Sequence, residues 1–196
     1  MARTKPKERA RDRILSGDEL RAVWRQAEAN GVFGAFIRFI LLTAARRNEA
    51  SGLPWTELDK GDWTLPAARN KTKVDLVRPL SKAARAALLR PGCRWVFSTN
   101  GKPITAFSRL KATFDEACGV EGWTLHDLRR TSRSLMSRAG IDANVAERCL
   151  GHVIPGIRGV YDRHEYHREK ALAFEALAAQ IDRIVSPRAN VVGIKR

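Results

Sequence analysis

The helical spacing of apolar residues in this 196-residue chain is interrupted by one segment with strand-like spacing, and this interruption constrains the fold. Helical spacing holds through most of the chain. Between residues 55 and 80 it gives way to a turn signal at 59–62, strand signals at 63–65 and 76–80, and a polar tip at 71–75. We therefore predict a fold that is mainly α with a small antiparallel β-sheet (α+β) of two or three strands.

The predicted helices have recognisable boundaries. Ser16 and Glu19 form the spacing of a capping box, ahead of a helix that runs to about residue 28. The pair Asn30-Gly31 ends that helix, and an apolar helix over residues 33–45 follows. Further helices are predicted from near residue 47 to before residue 54, and over residues 81–89, 108–118, 125–139, 143–149 and 168–184.

The charge of the chain favours polyanionic partners. Lysine and arginine number 36 against 21 acidic residues, for a formal net charge of +15. Nucleic acid is the commonest reason for such an excess, with a ribosomal-type structural protein and a membrane-surface binder as alternatives. A hydrophobic content of 44% and five tryptophans indicate a folded body, not a basic disordered tail.

Cysteine usage and the apolar segments exclude several classes of protein. The three cysteines (Cys93, Cys118 and Cys149) are widely spaced, which fits neither a disulfide framework nor a zinc site. The apolar stretch at residues 32–45 contains Gly34 and Arg38 and is too short to span a bilayer. The basic start lacks the apolar run of a signal peptide. We expect a cytoplasmic protein with no membrane association.

The domain organisation is expected to be simple. Residues 1–13, with six basic and two acidic residues, are predicted to be a basic flexible lead. Residues 14–185 form the predicted domain, and residues 186–196 form a basic C-terminal tail.

Two groups of polar residues indicate phosphoryl chemistry. His126 and Arg129 lie three apart, so on a helix they share one face and can hold a pair of phosphate oxygens. His152 precedes Tyr161 by nine residues, with a Pro/Gly turn between them. This arrangement is typical of a phosphate-binding floor followed by a nucleophile. The residues therefore suggest phosphoryl transfer to a tyrosine.

Five short motifs in order carry a resemblance to a known family. They are Thr43-Ala44-Ala45-Arg46-Arg47-Asn48-Glu49, Asn70-Lys71-Thr72-Lys73, Leu125-His126-Asp127-Leu128-Arg129-Arg130-Thr131, Leu150-Gly151-His152 and Val160-Tyr161-Asp162-Arg163. Each is weak alone, but together they resemble the catalytic domain of tyrosine recombinases of the phage-integrase type. The resemblance covers about residues 15–175. It implies a site-specific DNA recombinase from a bacterial or phage mobile genetic element.

The resemblance implies a role for each matching residue. Arg46 and Arg129 would bind the scissile phosphate, with Glu49 supporting Arg46. His126 would serve proton transfer, and His152 would hydrogen-bond the phosphate. Tyr161, chosen over Tyr166 by its distance from His152 and its Tyr-Asp-Arg context, would be the nucleophile.

The choice of the catalytic lysine also follows from the resemblance. Family members place this lysine eight residues before a proline that ends the third strand. Pro79 then selects Lys71 over Lys73, and Lys71 would protonate the departing 5′ oxygen. Lys73 and Arg130 become candidate DNA contacts.

The implied reaction forms a 3′-phosphotyrosyl bond that stores the energy for rejoining, so no metal, ATP or other cofactor is expected. The implied partner is double-stranded DNA at attachment sites, bound as a homotetramer. We expect a monomer without DNA, and accessory DNA-bending or excision factors are possible partners. The last predicted helix could dock on a neighbouring molecule or fold back on its own core.

Two departures from the family pattern are visible. Ala44 stands where Thr-Gly-x-Arg is usual, and we expect this change in the backbone turn to be tolerated. We also expect that the chain carries no N-terminal core-binding domain of the kind that integrases of this type have, with a fragment or a naturally shortened protein as the alternatives. A DNA-binding relic without catalysis and a type IB topoisomerase are the competing functions.

Overall fold

The computed structural model describes residues 12–89, 92–152 and 164–187. The helices are α1 (Gly17–Ala29), α2 (Gly31–Thr43), α3 (Arg47–Ser51), α4 (Lys82–Ala86), α5 (Phe107–Cys118), α6 (Leu125–Arg138), α7 (Ala143–Leu150) and α8 (His167–Val185). The strands are β1 (Leu58–Asp59), β2 (Asp62–Leu65), β3 (Leu76–Pro79), β4 (Ser98–Thr99) and β5 (Lys102–Pro103). The predicted class, mainly α with a small antiparallel sheet, is confirmed.

The larger sheet has the order β1-β2-β3, with antiparallel neighbours. Trp63 on β2 lies opposite Arg78 on β3, and the side chains of both are fully buried. The segment that joins these two strands carries the predicted polar tip. This short sheet therefore sets the position from which that tip projects.

Helix α2 is the centre of the core. Its residues are buried around the whole circumference from Phe33 to Thr43, apart from Arg38, as expected of an interior helix. Phe39 lies 5.5 Å from the Trp63 ring and 5.2 Å from the Phe97 ring, measured between ring centroids. The apolar stretch predicted as a helix over residues 33–45 thus holds the sheet against the helices.

Helix α8 packs on the core of its own chain. Phe174, Leu177 and Ile181 are almost completely buried, and the Lys170 ammonium donates a hydrogen bond to the carbonyl of Val77 at 2.9 Å. Leu172, by contrast, is 62% exposed. Of the two roles left open for the last predicted helix, folding back on its own core is the one observed.

Two details differ from the sequence predictions. Strands β4 and β5 form a second hairpin around the turn Asn100-Gly101, which the sequence analysis missed. Helix α4 ends at Ala86, although a helix was predicted over residues 81–89. In the described residues, no helix is both long and apolar enough to cross a membrane.

The start of α1 is fixed by a reciprocal cap. The Ser16 hydroxyl accepts a hydrogen bond from the Glu19 backbone N–H at 3.2 Å, and the Ser16 N–H donates to the Glu19 carboxylate at 2.8 Å. Arg13 pairs with the same carboxylate at 2.5 Å. This contact ties Arg13 to the first turn of α1. Hydrogen bonds from Arg13 and Ser16 lower the pKa of Glu19 from 4.5 to about 2.

We expect Glu19→Gln to lower the free energy of unfolding by about 1 kcal/mol at pH 7, because the cap and the ion pair both weaken. The pKa of Glu19 is lower in the folded protein, so its contribution is complete above about pH 4.5 and is lost as the pH falls toward about 2. Urea unfolding at pH 7 and pH 2.5 should show the difference shrinking in acid. Glu116→Gln on the exposed face of α5 is the control, and an equal effect there would contradict the capping role.

Candidate functional site

A cleft of about 670 Å³ brings together three of the five motifs. Its walls come from residues 45–49 after α2, residues 68–73 between β2 and β3, and residues 123–126 at the start of α6, with part of α5. Five predicted site residues line this cleft: Arg46, Glu49, Lys71, Lys73 and His126. The fold therefore gathers them from distant parts of the sequence.

Arg46 enters the cleft because the chain reverses direction at the end of α2. Ala44 takes the left-handed conformation (φ 50°) there, a turn that glycine would make without strain. Arg46 then precedes α3, and its guanidinium donates to the Glu49 carboxylate at 2.6 Å. The other Glu49 oxygen accepts from the Arg46 backbone N–H at 3.0 Å. These two bonds hold both the backbone and the side chain of Arg46.

Glu49 has a second cationic partner that the sequence analysis missed. The Arg78 guanidinium donates to Glu49 Oε2 at 2.8 Å, and its central carbon lies 4.9 Å from the centre of the Trp63 ring. Burial acts to raise the pKa of Glu49, but Arg78 and then Arg46 outweigh it and the pKa is lowered. Alternation along β3, with Leu76 facing inward, was the signal that could have indicated an inward-facing Arg78.

Arg129 is buried and connects the ends of two other helices. Its Nη1 donates to the carbonyl of Ala44 at 2.5 Å, and its Nη2 donates to the carbonyl of Leu150 at 2.8 Å. Burial, followed by the positive charges of Arg46 and Arg78, lowers the pKa of Arg129 to about 9. Arg129 therefore remains a cation at neutral pH, and it lies close enough to Arg46 for electrostatic repulsion between the two side chains.

His152 is held between a cation and a carboxylate. Its Nε2 lies 3.0 Å from Arg129 Nη2, and its Nδ1 bonds to Glu147. Because a guanidinium can only donate, Nε2 accepts and Nδ1 carries the proton in this arrangement. Glu147 is held in turn by Arg133 Nε at 2.8 Å. Sequence reasoning found His152 and Arg129 but missed Glu147, which bonds to His152, and Arg133, which holds Glu147.

His126 lies exposed at the edge of the cleft, in the first turn of α6. Partial burial, followed by the charges of Arg130 and Arg129, lowers the pKa of His126. The imidazole is therefore neutral at pH 7 and able to accept a proton. Arg130, predicted as a DNA contact, bonds to the buried Asp127 at 2.7 Å.

The two candidate lysines lie together in the segment between β2 and β3. Lys71 and Lys73 are both exposed, and both line the cleft. The buried Asn70 shapes this segment by donating from its side chain to the carbonyl of Val74 at 2.7 Å. Arg69 fastens its base by two bonds of 2.8 Å to Glu57. Both lysines face the same cleft, so the preference for Lys71 stays a prediction.

Tyr161, the predicted nucleophile, lies outside the described residues. Tyr166 directly precedes α8, and the central carbon of the Arg148 guanidinium lies 4.0 Å from the centre of its ring. Across residues 12–89, 92–152 and 164–187, no group of three or more histidine, cysteine or acidic side chains is placed to hold a metal ion.

Comparison with known proteins identifies the family. The model of the phage integrase family matches residues 14–168. The chain belongs to this family. It is 31% identical over 141 residues to prophage integrase IntA of Escherichia coli K12, and 31% identical over 165 residues to prophage integrase IntZ of the same organism. These matches cover 66% and 79% of this chain, but the chain spans only 34% and 40% of the two relatives.

Solved structures of phage integrases share the fold. The lambda integrase catalytic core is 22% identical, with a TM-score of 0.60, and the match covers 71% of this chain and 94% of that one. The integrase of mycobacterium phage Brujita is 19% identical, with a TM-score of 0.63 over 91% of this chain and 65% of its own. The resemblance inferred from the five motifs is confirmed at the level of family and fold.

We expect Gly151→Ala to destabilise the protein more than Gly140→Ala does. Both glycines have a left-handed backbone (φ 72° and 75°), so each substitution should cost about 1 kcal/mol. A Cβ at residue 151 would also overlap a methyl group of Leu76, whereas residue 140 has open space. Overpacking against β3 should add about 1 kcal/mol or more. Urea unfolding measures both, and equal losses would contradict the close packing beside His152.

Proposed function

We propose that this chain is the catalytic domain of a site-specific DNA recombinase that cuts and rejoins DNA through a 3′-phosphotyrosyl intermediate. One observation carries the proposal. Arg46, His126 and two lysines line one cleft, while Arg129 holds both His152 and the backbone turn that leads to Arg46. The chain's net charge of +15 suits DNA as the ligand.

Phosphate recognition is assigned to Arg46 and Arg129. A guanidinium carries five N–H donors in a planar fork, and the contact of Arg46 with Glu49 leaves others for phosphate oxygens. The buried cation of Arg129 is bonded to two neutral carbonyls, so its charge is not cancelled by them. Two such cations stabilise the negative charge that grows on the phosphoryl oxygens during attack.

Proton transfer is assigned to His126 and Lys71. The Tyr161 hydroxyl attacks the phosphorus, and the bond from phosphorus to the 5′ oxygen breaks. The pKa of His126 is lowered, so its imidazole is neutral at pH 7 and can accept the tyrosine proton. Lys71 donates a proton to the departing 5′ oxygen. The phosphotyrosyl bond keeps the energy of the broken linkage, so the reverse step rejoins DNA without ATP or metal.

The assembly follows by analogy with solved relatives. One matched structure is a lambda integrase dimer bound to a core site, and another is a lambda integrase tetramer bound to a Holliday junction. We propose that this chain also binds duplex DNA at attachment sites, acts as a homotetramer there and is a monomer without DNA. Accessory DNA-bending or excision factors would act on that assembly.

Tyr161→Phe should abolish covalent attachment to DNA and leave salt-sensitive binding intact. Nicked duplexes of varied sequence, from which the cleaved fragment diffuses away, trap the adduct as a slow band on a denaturing gel without added metal. Tyr166→Phe is the matched control and should keep the band. A band that survives Tyr161→Phe but not Tyr166→Phe would overturn the choice of nucleophile.

The same assay distinguishes the competing functions. No band from the unaltered chain, despite DNA binding, would favour a DNA-binding relic without catalysis. Plasmid relaxation without strand exchange would favour a topoisomerase.

Lys71→Ala should slow adduct formation by about a hundredfold, the contribution of general acid catalysis. A substrate with sulfur in place of the scissile 5′ oxygen should restore the rate, because a thiol of pKa about 8.5 leaves without protonation. Lys73→Ala should leave the ratio of the cleavage rates on the two substrates unchanged. It should make the salt dependence of DNA binding less steep, by the amount expected for the loss of about one phosphate contact. If the sulfur substrate restores the rate of Lys73→Ala and not that of Lys71→Ala, then Lys73 is the general acid and Lys71 is the DNA contact.

A further inference from the structure

The guanidinium of Arg78 is buried too deeply to contact a phosphate bound in the cleft. The side chain is 0% exposed. Its Nε and Nη1 have no hydrogen-bond partner among the described residues, although both are buried. Burying a charged group with unpaired donors costs several kcal/mol, and an apolar side chain of similar volume is often cheaper. Stability alone therefore does not explain this arginine.

The contacts of Glu49 indicate what Arg78 does. Glu49 Oε1 accepts from the Arg46 side chain, and Oε2 accepts from Arg78 and from the Arg46 backbone. With Arg46 as its only cationic partner, the Glu49 carboxylate would cancel the charge that the phosphate must meet. With Arg78 present, the group of three side chains keeps one positive charge in excess.

The other groups around Arg78 do not replace it. Burial raises the pKa of the Cys149 thiol to about 12, so this neighbour stays neutral at pH 7. Lys170 from α8 and Arg129 from α6 are cations whose pKa values Arg78 lowers by repulsion, after the larger effect of burial. In the described part of the chain, Glu49 is the carboxylate that bonds to Arg78.

We propose that Arg78 is a positioning residue for DNA cleavage: by occupying one oxygen of Glu49, it leaves Arg46 oriented and charged for the scissile phosphate. This inference rests on the proposed function. Arg78 is fully buried, so it acts through Glu49 and Arg46. Its effect should therefore depend on the negative charge of the phosphate.

The test compares Arg78→Met with the unaltered chain under single-turnover conditions on nicked DNA. We expect adduct formation to slow by about tenfold or more, the usual effect of removing a group that orients a ligand-binding residue. On a methylphosphonate substrate, which lacks the negative charge at the scissile position, the loss should shrink to about twofold. A purely structural role would slow both substrates equally, and that result would overturn the proposal.

Two variants control for folding. Arg38→Met removes another arginine whose buried Nε lacks a partner and whose guanidinium lies over a tryptophan, Trp24, at 5.9 Å. Arg38 does not line the cleft, so its loss should not distinguish the two substrates. Arg78→Lys keeps the charge and should recover part of the rate on the natural phosphate. If Arg78→Met does not fold, Arg78→Lys serves as the test. An equal loss of cleavage rate on the natural phosphate and on the methylphosphonate would then overturn the proposal.

A second measurement separates this inference from the proposed function. The Arg46 Nε–H signal can be followed by NMR as inorganic phosphate is added to the unaltered chain and to Arg78→Met. We expect phosphate binding to weaken by about fivefold or more in the variant. If the unaltered chain forms no adduct but shows this difference, the proposed function fails, while the role of Arg78 in orienting Arg46 for a phosphate stands. Equal phosphate affinity in both proteins would overturn that role.

Discussion

The guanidinium of Arg129 connects the parts of the chain from which the cleft is built. It extends from α6 to the carbonyl of Ala44 at the end of α2 and the carbonyl of Leu150 at the end of α7. Carbonyls at helix C-termini lack partners within the helix and carry partial negative charge, which suits a buried cation. Because Arg46 and His152 lie within two residues of these carbonyls, one side chain sets the separation of both from α6.

The two carbonyl acceptors share a further feature, a left-handed turn. Ala44 ends α2 with φ 50°, and Gly151 ends α7 with φ 72° directly after Leu150. Each turn ends a helix and changes the direction of the chain just before a polar site residue. That residue is Arg46 after α2 and His152 after α7. Alanine makes its turn at a cost of about 1–2 kcal/mol that glycine would avoid. The sequence departure at residue 44 thus preserves the geometry and adds strain.

The sequence was informative where a local pattern carries the structure. The cap of α1 and the interior helix α2 follow from residue types over a few positions, and the ordered motifs contain Arg46, Lys71 and His126, which line the cleft. Arg78 was missed because a charged residue on a short strand argues for the exposed face, and only the distant Glu49 makes its burial possible. The second hairpin was missed because strands of two residues are too short to show an alternating pattern. The docking of α8 could not be predicted, because an amphipathic helix does not specify which surface covers it.

The arginines gathered beside the cleft repel one another, and this repulsion lowers the stability of the folded protein. Burial, Arg46 and Arg78 lower the pKa of Arg129 to about 9, yet Arg129 is protonated at neutral pH, so the folded protein holds a cation in an unfavourable environment. Glu49 relieves part of this repulsion but is shared between two arginines. A phosphate oxygen would supply the missing negative charge. Under the proposed function, a bound phosphate would offset the repulsion among these cations, and the burial that destabilises the unoccupied cleft would strengthen its affinity for phosphate.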